Sequence, residues 1–206
     1  GIGAGIIIDG KLHRGSHGSA GDVGHIQVTD DPSTVCRCGN VGCLEAVASG
    51  AALARSGAAA ASAGRSPVLA RLLAENGRIE AIDVGWAASH GDPVGRDLIA
   101  TAGRWIGSMV ATLVNALNPS LVVIGGGVSG VGDPLIASIR ETVYGRSLPL
   151  ATRDLRIVRS GLESDGGRIG AASMVVDELF ARERIATWLP VGSPVGLADV
   201  ITPSSP

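Results

Sequence analysis

Three cysteines fall within eight positions, Cys36, Cys38 and Cys43, and His25 lies ten intervening residues upstream of the first. Three thiolates and one imidazole fill the tetrahedral shell of Zn²⁺ and leave no open position, which is a structural rather than a catalytic arrangement. The surrounding stretch Asp30-Asp31-Pro32-Ser33 has little apolar content to fold on, so metal binding would supply its folding free energy. The bland alternative is three free cysteines and an unrelated histidine. His13, His17 and His90 are other conceivable fourth ligands, each also readable as an ordinary loop or surface histidine. An odd number of cysteines, crowded together, argues against a disulfide framework and for a metal site in a reducing cytoplasm.

Two glycine clusters are the other chemistry-bearing features. Gly1, Gly3 and Gly5 alternate with small or apolar residues, and Gly125-Gly126-Gly127 follows the apolar run Leu121-Val122-Val123-Ile124. Glycine lets a backbone approach a phosphate closely, and ligands of α/β sheets bind beyond the carboxyl ends of the strands. In a chain with 31 Gly the first cluster reads equally well as a tight structural turn. The second is not a Walker A loop, since no Gly-Lys-Ser/Thr follows.

The elements that must position these groups alternate between strand and helix, so the class is α/β. Residues 1–14 read as a hairpin about the turn pair Asp9-Gly10. Residues 15–44 read as loop, with a short strand over His25–Val28. Helices are expected over 45–63 and 67–73. The strongest period runs through 94–117, where Leu98, Ala102, Ile106, Met109, Leu113 and Leu117 share one face. That face serves the core or a dimer interface, core being the simpler use. Asn118-Pro119 ends the helix, and 121–124 follows as a buried parallel strand. A helix from Asp133 to about Val143, a strand over 155–158 and a helix over 166–180 complete the pattern. The Pro- and Ser-rich tail, 189–206, is expected to be poorly ordered.

Composition narrows the class. The chain has 206 residues, enough for a sizeable core, and its formal net charge is −2, which gives no electrostatic footprint for nucleic acid. It is 45% hydrophobic, yet its only aromatics are Phe180, Tyr144 and three Trp, so the core must be aliphatic and rich in Ala and Gly. No apolar run reaches the roughly 18 residues that cross a bilayer, and no membrane partner is expected. The first residue is Gly1, inside a glycine motif, which reads as the carboxy-terminal piece of a longer protein.

Taken together, several segments resemble the ROK family of repressors and sugar kinases. They are Gly1-Ile2-Gly3-Ala4-Gly5, Gly18–His25, Cys36-Arg37-Cys38-Gly39-Asn40-Val41-Gly42-Cys43-Leu44-Glu45, Asn118-Pro119 and Ile124–Ser129. The resemblance covers about residues 1–186. It implies the second half of an actin-like ATPase/sugar kinase (ribonuclease H-like) fold, as one domain over 1–188 with a zinc loop at 25–43. It also implies Zn²⁺ ligands at His25, Cys36, Cys38 and Cys43, and sugar hydroxyls held by Asp22, His25 and Glu45. Carboxylates accept from vicinal hydroxyls, and a metal-fixed imidazole keeps one orientation. A carboxylate near a helix amino terminus also favours the dipole, a purely structural alternative for Glu45. The glycine loops (Gly1, Gly3, Gly5; Gly125, Gly126, Gly127) would be phosphate loops, functional or vestigial.

A kinase of this family draws the proton from its sugar with an Asp that precedes the Gly1 motif, and Asp22, Asp133 and Asp165 do not stand at that position. No catalytic residue is therefore assigned, and ATP with Mg²⁺ is expected only if the whole protein is a kinase. Family kinases usually carry Glu where this chain has Asp22, whose carboxylate stands roughly 1.5 Å further back. That difference, with the stretches 143–153 and 45–50, looks most like the sugar-responsive repressors. The expectation is the effector domain of a cytoplasmic regulator. It would bind a sugar or sugar phosphate, form a homo-oligomer (dimer or tetramer), and reach operator DNA through an amino-terminal winged helix-turn-helix outside this stretch. A hexose or amino-sugar kinase is the alternative.

Overall fold

The computed structural model describes residues 1–162 and 165–195. The chain divides into two compact units, Gly1–Glu163 and Ser164–Pro206.

The first unit opens with a hairpin. Strands β1 (Ile6–Ile8) and β2 (Lys11–His13) pair antiparallel, with Ile6 opposite His13 and Ile8 opposite Lys11. Asp9 and Gly10 both take positive φ, 51° and 74°, the backbone that lets a two-residue turn match the twist of its strands. A second sheet pairs β3 (Leu121–Ile124) with β4 (Arg156–Arg159) in parallel register, Leu121 beside Arg156 and Ile124 beside Arg159. Its connection runs through α6 (Asp133–Arg146) and the short α7 (Pro149–Thr152). The parallel pairing matches the reading of 121–124. Its burial does not: Leu121 and Val123 are about half exposed, because one face of β3 is open among the described residues.

Between the two sheets in sequence lie α1 (Leu44–Ala48), α2 (Gly50–Ser62), α3 (Pro67–Asn76), α4 (Ala81–Ser89) and α5 (Pro93–Leu117). The expected helix over 45–63 is broken at Ser49, whose extended backbone ends α1 while its hydroxyl caps α2 by accepting from Ala52 N. Helix α3 runs past the expected end to Asn76. Helix α4 was not expected at all. It starts on a capping box of two acids, Glu80 and Asp83, and its Ala-rich sequence around Gly85 carries little period.

Helix α5 is the scaffold. Pro93 sits at its first turn, Asp92 caps it by accepting from Gly95 N at 2.6 Å, and Asn118 closes it at φ 46°. The expected face lies on the core: Ala102 and Met109 are buried, Leu98, Ile106 and Leu113 are half-buried and packed against it, and Leu117 is exposed. Burial extends beyond that face to Ile99, Val110 and Val114, with Gly103 and Gly107. The glycines explain the extension: a Cβ on Gly103 or Gly107 would stand 2.6 Å from Ser138 or Thr142 of α6. Small residues thus let α5 and α6 approach closely, and Ser138 Oγ donates to Ala100 O across the contact. The caps of α3 and α5 also meet. Ser66 Oγ accepts from Leu69 N and donates to Asp92 Oδ2 at 2.7 Å, in a fully buried pair.

The second unit holds α8 (Gly166–Leu179) and α9 (Arg182–Trp188). Trp188 Nε1 donates to Leu179 O, and its ring meets Phe180 edge to face at 5.8 Å. Leu189–Val191 forms a 3₁₀ turn; residues 196–206 of the expected tail lie outside the described residues. Among the described residues, no helix is long and apolar enough to cross a membrane.

Candidate metal centre and sugar site

The segment 21–45 folds back on the start of the chain. Gly21, at φ +95°, accepts at its carbonyl from Ala4 N–H at 2.7 Å. A Cβ at Gly21 would fall 1.9 Å from Ala4 O, and one at Gly24 2.1 Å from Ile2 O, so only glycine permits this backbone-to-backbone contact. Val23–His25 is then a 3₁₀ turn rather than the start of a strand. What remains of the expected strand is a single antiparallel bridge, Gln27 to Cys43. Val28 N bonds to Gly42 O and Leu44 N to Ile26 O, closing the loop on its own base.

This closure gathers the four expected ligands. The thiols of Cys36, Cys38 and Cys43 and a ring nitrogen of His25 all lie within 4.8 Å of one another. Cys38 Sγ to Cys43 Sγ is 3.7 Å, and Cys36 Sγ to His25 Nδ1 is 3.7 Å. A tetrahedron with Zn–S bonds of about 2.3 Å has edges of roughly 3.8 Å, so the donor set fits that ion in kind and in spacing. His13, His17 and His90 stand outside the group; His90 is stacked on Trp86 with ring centroids 3.9 Å apart. Cys36 and Cys43 are buried and Cys38 is exposed. Burial, together with the neighbouring thiols of Cys38 and Cys36, pushes the Cys43 thiol up to about 12. The Asn40 backbone N–H holds the Cys38 thiol below its ordinary value.

Glu45 sits in the first turn of α1, almost buried. Its carboxylate does not cap that helix. Oε2 accepts from Ile2 N at 3.0 Å, and Oε1 accepts from Arg37 Nη2 at 3.1 Å. The Arg37 guanidinium first, then the Ile2 N–H, hold the carboxyl below the usual carboxylate range, against the opposing effect of burial. Asp22 precedes the 3₁₀ turn and is exposed, with no hydrogen bond to its carboxylate among the described residues. Because Nδ1 of His25 faces Cys36, Nε2 is the ring nitrogen left to meet a ligand. An open hollow of about 450 Å³ adjoins Glu45 and is lined by Gly1, Ser33, Arg37, Ser49 and Arg55 among others. Asp22 and His25 do not line it.

The glycine clusters separate. Gly1, Gly3 and Gly5 belong to the segment that carries Ile2 and Ala4, and a Cβ at any of them would meet nothing closer than 3.3 Å. Gly125-Gly126-Gly127 leaves the carboxyl end of β3, with Gly126 at φ +80° and Ser129 Oγ donating to its carbonyl. Ser160, at the same end of β4, donates its N–H to Ile124 O.

With this geometry in hand, comparison with known proteins is decisive at one level. The ROK family profile matches residues 1–178. The chain belongs to the ROK family. Its relatives fall into two functional groups. It is 34% identical over 184 residues to a glucokinase of Halalkalibacterium halodurans, covering 89% of this chain and 56% of the relative. It is 38% identical over 196 residues to the xylose repressor of Caldicellulosiruptor bescii, covering 88% and 45%. Among solved structures it resembles a ROK family glucokinase from Streptomyces griseus in complex with glucose and AMPPNP, with TM-score 0.73, 35% identity, and coverage of 84% and 56%. The fold is accordingly that of the ROK sugar kinases, the actin-like ATPase/sugar kinase fold. The chain spans about half the length of the curated relatives it matches.

Sequence reasoning missed two participants at Glu45. The Ile2 amide carries no side-chain signal. Arg37 was visible only as the residue between two cysteines, a place that fixes its backbone on both sides.

Proposed function

We propose that this stretch is the sugar-binding effector domain of a ROK-family transcriptional regulator of carbohydrate use, held in shape by a structural Zn²⁺. His25, Cys36, Cys38 and Cys43 would hold the ion, whose role is to fix a loop that has little core of its own. Asp22, His25 Nε2 and Glu45 would take the sugar hydroxyls. The observation that carries the sugar reading is Glu45: a nearly buried carboxylate that leaves its own helix uncapped and instead faces Ile2 and Arg37. Sugar binding would shift the population between DNA-competent and released forms, in a cytoplasmic homo-oligomer.

The regulator reading is favoured by Asp22. Its shorter, exposed carboxylate suits binding through a water better than the close grip needed to orient a reacting hydroxyl. The glucokinase relatives favour the second reading, an ATP-dependent hexose kinase using the Gly1–Gly5 and Gly125–Gly127 loops for phosphate. Two measurements on the full-length protein separate them: a coupled assay of sugar-dependent ATP turnover, and sugar-dependent release of operator DNA. Robust turnover with no DNA binding sinks the regulator reading; DNA release without turnover supports it.

A further inference from the structure

We propose that Cys38 is an oxidation site through which a hydroperoxide opens the thiol cluster reversibly: the Cys38 sulfur is oxidised, Cys43 closes a disulfide on it, and the metal is released. The inference rests on the reading of the cluster as a Zn²⁺ site.

The three sulfurs differ in access and in neighbours. Cys36 and Cys43 are 5% and 0% exposed, whereas Cys38 is open to solvent. An oxidant arriving from water therefore meets one cysteine of the three. A metal-bound thiol is held as the thiolate, the form that attacks a peroxide. Cys43 Sγ lies 3.7 Å from Cys38 Sγ, while the Cys36 sulfur has His25 Nδ1 at 3.7 Å. A disulfide bond is about 2.05 Å long, so roughly 1.7 Å remains to be closed between Cys38 and Cys43. Cys43 is the fixed end: it is bridged to Gln27, and Leu44 N–H donates to Ile26 O beside it. Cys38 is the end that moves. Gly39 follows it at φ +92°, with nothing within 4 Å of where a Cβ would stand.

The chemistry is a two-electron exchange. The Cys38 thiolate attacks one peroxide oxygen and the O–O bond breaks. The leaving oxygen takes a proton and departs as water, or as an alcohol from an alkyl hydroperoxide, and Cys38 is left as the sulfenic acid. The Cys43 thiolate then attacks that sulfur, and the sulfenic oxygen leaves with a second proton as water. Two thiolates, one hydrogen peroxide and two protons thus give one disulfide and two waters. His25 and Cys36 remain, two ligands where a tetrahedral site needs four. A thiol reductant reverses the change by returning both sulfurs to the ligand set.

The test treats the zinc-loaded full-length protein with hydrogen peroxide beside a zinc-sensitive dye, then maps its cysteines by mass spectrometry. The metal is expected to be lost in step with two free thiols per chain, with a disulfide joining Cys38 to Cys43. Dithiothreitol and added zinc should restore both. With dimedone present during oxidation, the adduct should fall on Cys38. Cys38→His replaces the exposed sulfur by a nitrogen ligand and should keep its metal through the same treatment. If that variant takes up no zinc, the wild-type map decides alone. Metal retained with all three thiols free, or oxidation that begins at Cys36 or Cys43, overturns the switch and leaves the metal reading in place. A wild type that carries no zinc before treatment overturns both.

Discussion

Stripping the metal from the thiol cluster should open one loop and spare the helices. Between Val23 and Leu44 the buried apolar cluster takes in only Val28, and that only partly. The loop therefore has almost no hydrophobic hold apart from the ligands themselves. A metal joining His25 to Cys43 closes 18 positions of chain. By the entropy of cross-linking, a closure of that length is worth about 3 kcal/mol, or roughly 150-fold in the opening equilibrium. The assay is hydrogen exchange, read by mass spectrometry on the zinc-loaded full-length protein with and without excess chelator. The amides of Cys36, Gly39 and Gly42, which bond to Asn40, Cys36 and Thr34 carbonyls at 2.7–2.9 Å, should exchange at least roughly a hundred-fold faster once the metal is gone. Amides within α5, such as Val110 and Val114, should not change, because their protection comes from core packing. Unchanged loop exchange after verified metal loss would refute the cross-link. Equal acceleration in α5 would show that the cluster belongs to the core instead.

Further outcomes follow from the same contacts. One Zn²⁺ per chain is expected by elemental analysis, and Cys38→Ser should lower both metal content and sugar affinity; a metal-free protein with an ordered loop contradicts this. Gly24→Ala drives a Cβ to 2.1 Å from Ile2 O, so it should cost about 1–3 kcal/mol in denaturant unfolding and weaken sugar binding while zinc is retained. Asp92→Ala removes the α5 cap and strands the buried Ser66 hydroxyl, for about 2–4 kcal/mol in total. Combined with Ser66→Ala it should show coupling of about 1 kcal/mol or more in a double-mutant cycle, and strict additivity would deny the buried bond.

What was legible in the sequence was what local chemistry dictates. The residue spacing named the His/Cys cluster that could hold a metal, because a short loop must bring close-set cysteines together. Asp9-Gly10 named its hairpin, and Asn118-Pro119 marked the end of α5. The errors came where tertiary contact outweighs local pattern. His25–Val28 alternates like a strand, but the Gly21 and Gly24 contacts with Ala4 and Ile2 curl its start into a 3₁₀ turn. Ser49 looks like one more small residue in an Ala-rich helix until its hydroxyl is seen to cap a new one. The α5 face was drawn too narrowly because glycine adds nothing to a hydrophobic pattern, although Gly103 and Gly107 carry the contact with α6. The Ile2–Glu45 bond spans 43 positions, beyond any local signal.

That long-range bond also changes the reading of the first glycine cluster. On sequence alone, Gly1-Ile2-Gly3-Ala4-Gly5 is either a phosphate loop or a tight turn. In the structure its backbone has a different task. Ile2 N holds one oxygen of Glu45, Ala4 N holds Gly21 beside Asp22, and Ile2 O lies against Gly24 beside His25. One short segment thus touches the chain next to two proposed sugar ligands and bonds directly to the third. Its peptide groups would fix the proposed sugar site whether or not a nucleotide is ever bound. A regulator that never transfers phosphate would need this segment as much as a kinase does, since losing it would release Glu45. Glycines at positions 3 and 5, where a Cβ would meet its nearest neighbour only at 3.9 Å, an ordinary van der Waals contact, are the part of the motif that this support does not require. Gly3→Ala and Gly5→Ala in the full-length protein therefore divide the two tasks: both should leave sugar affinity and zinc content near wild type, and a kinase would lose nucleotide affinity where a regulator would lose nothing measurable.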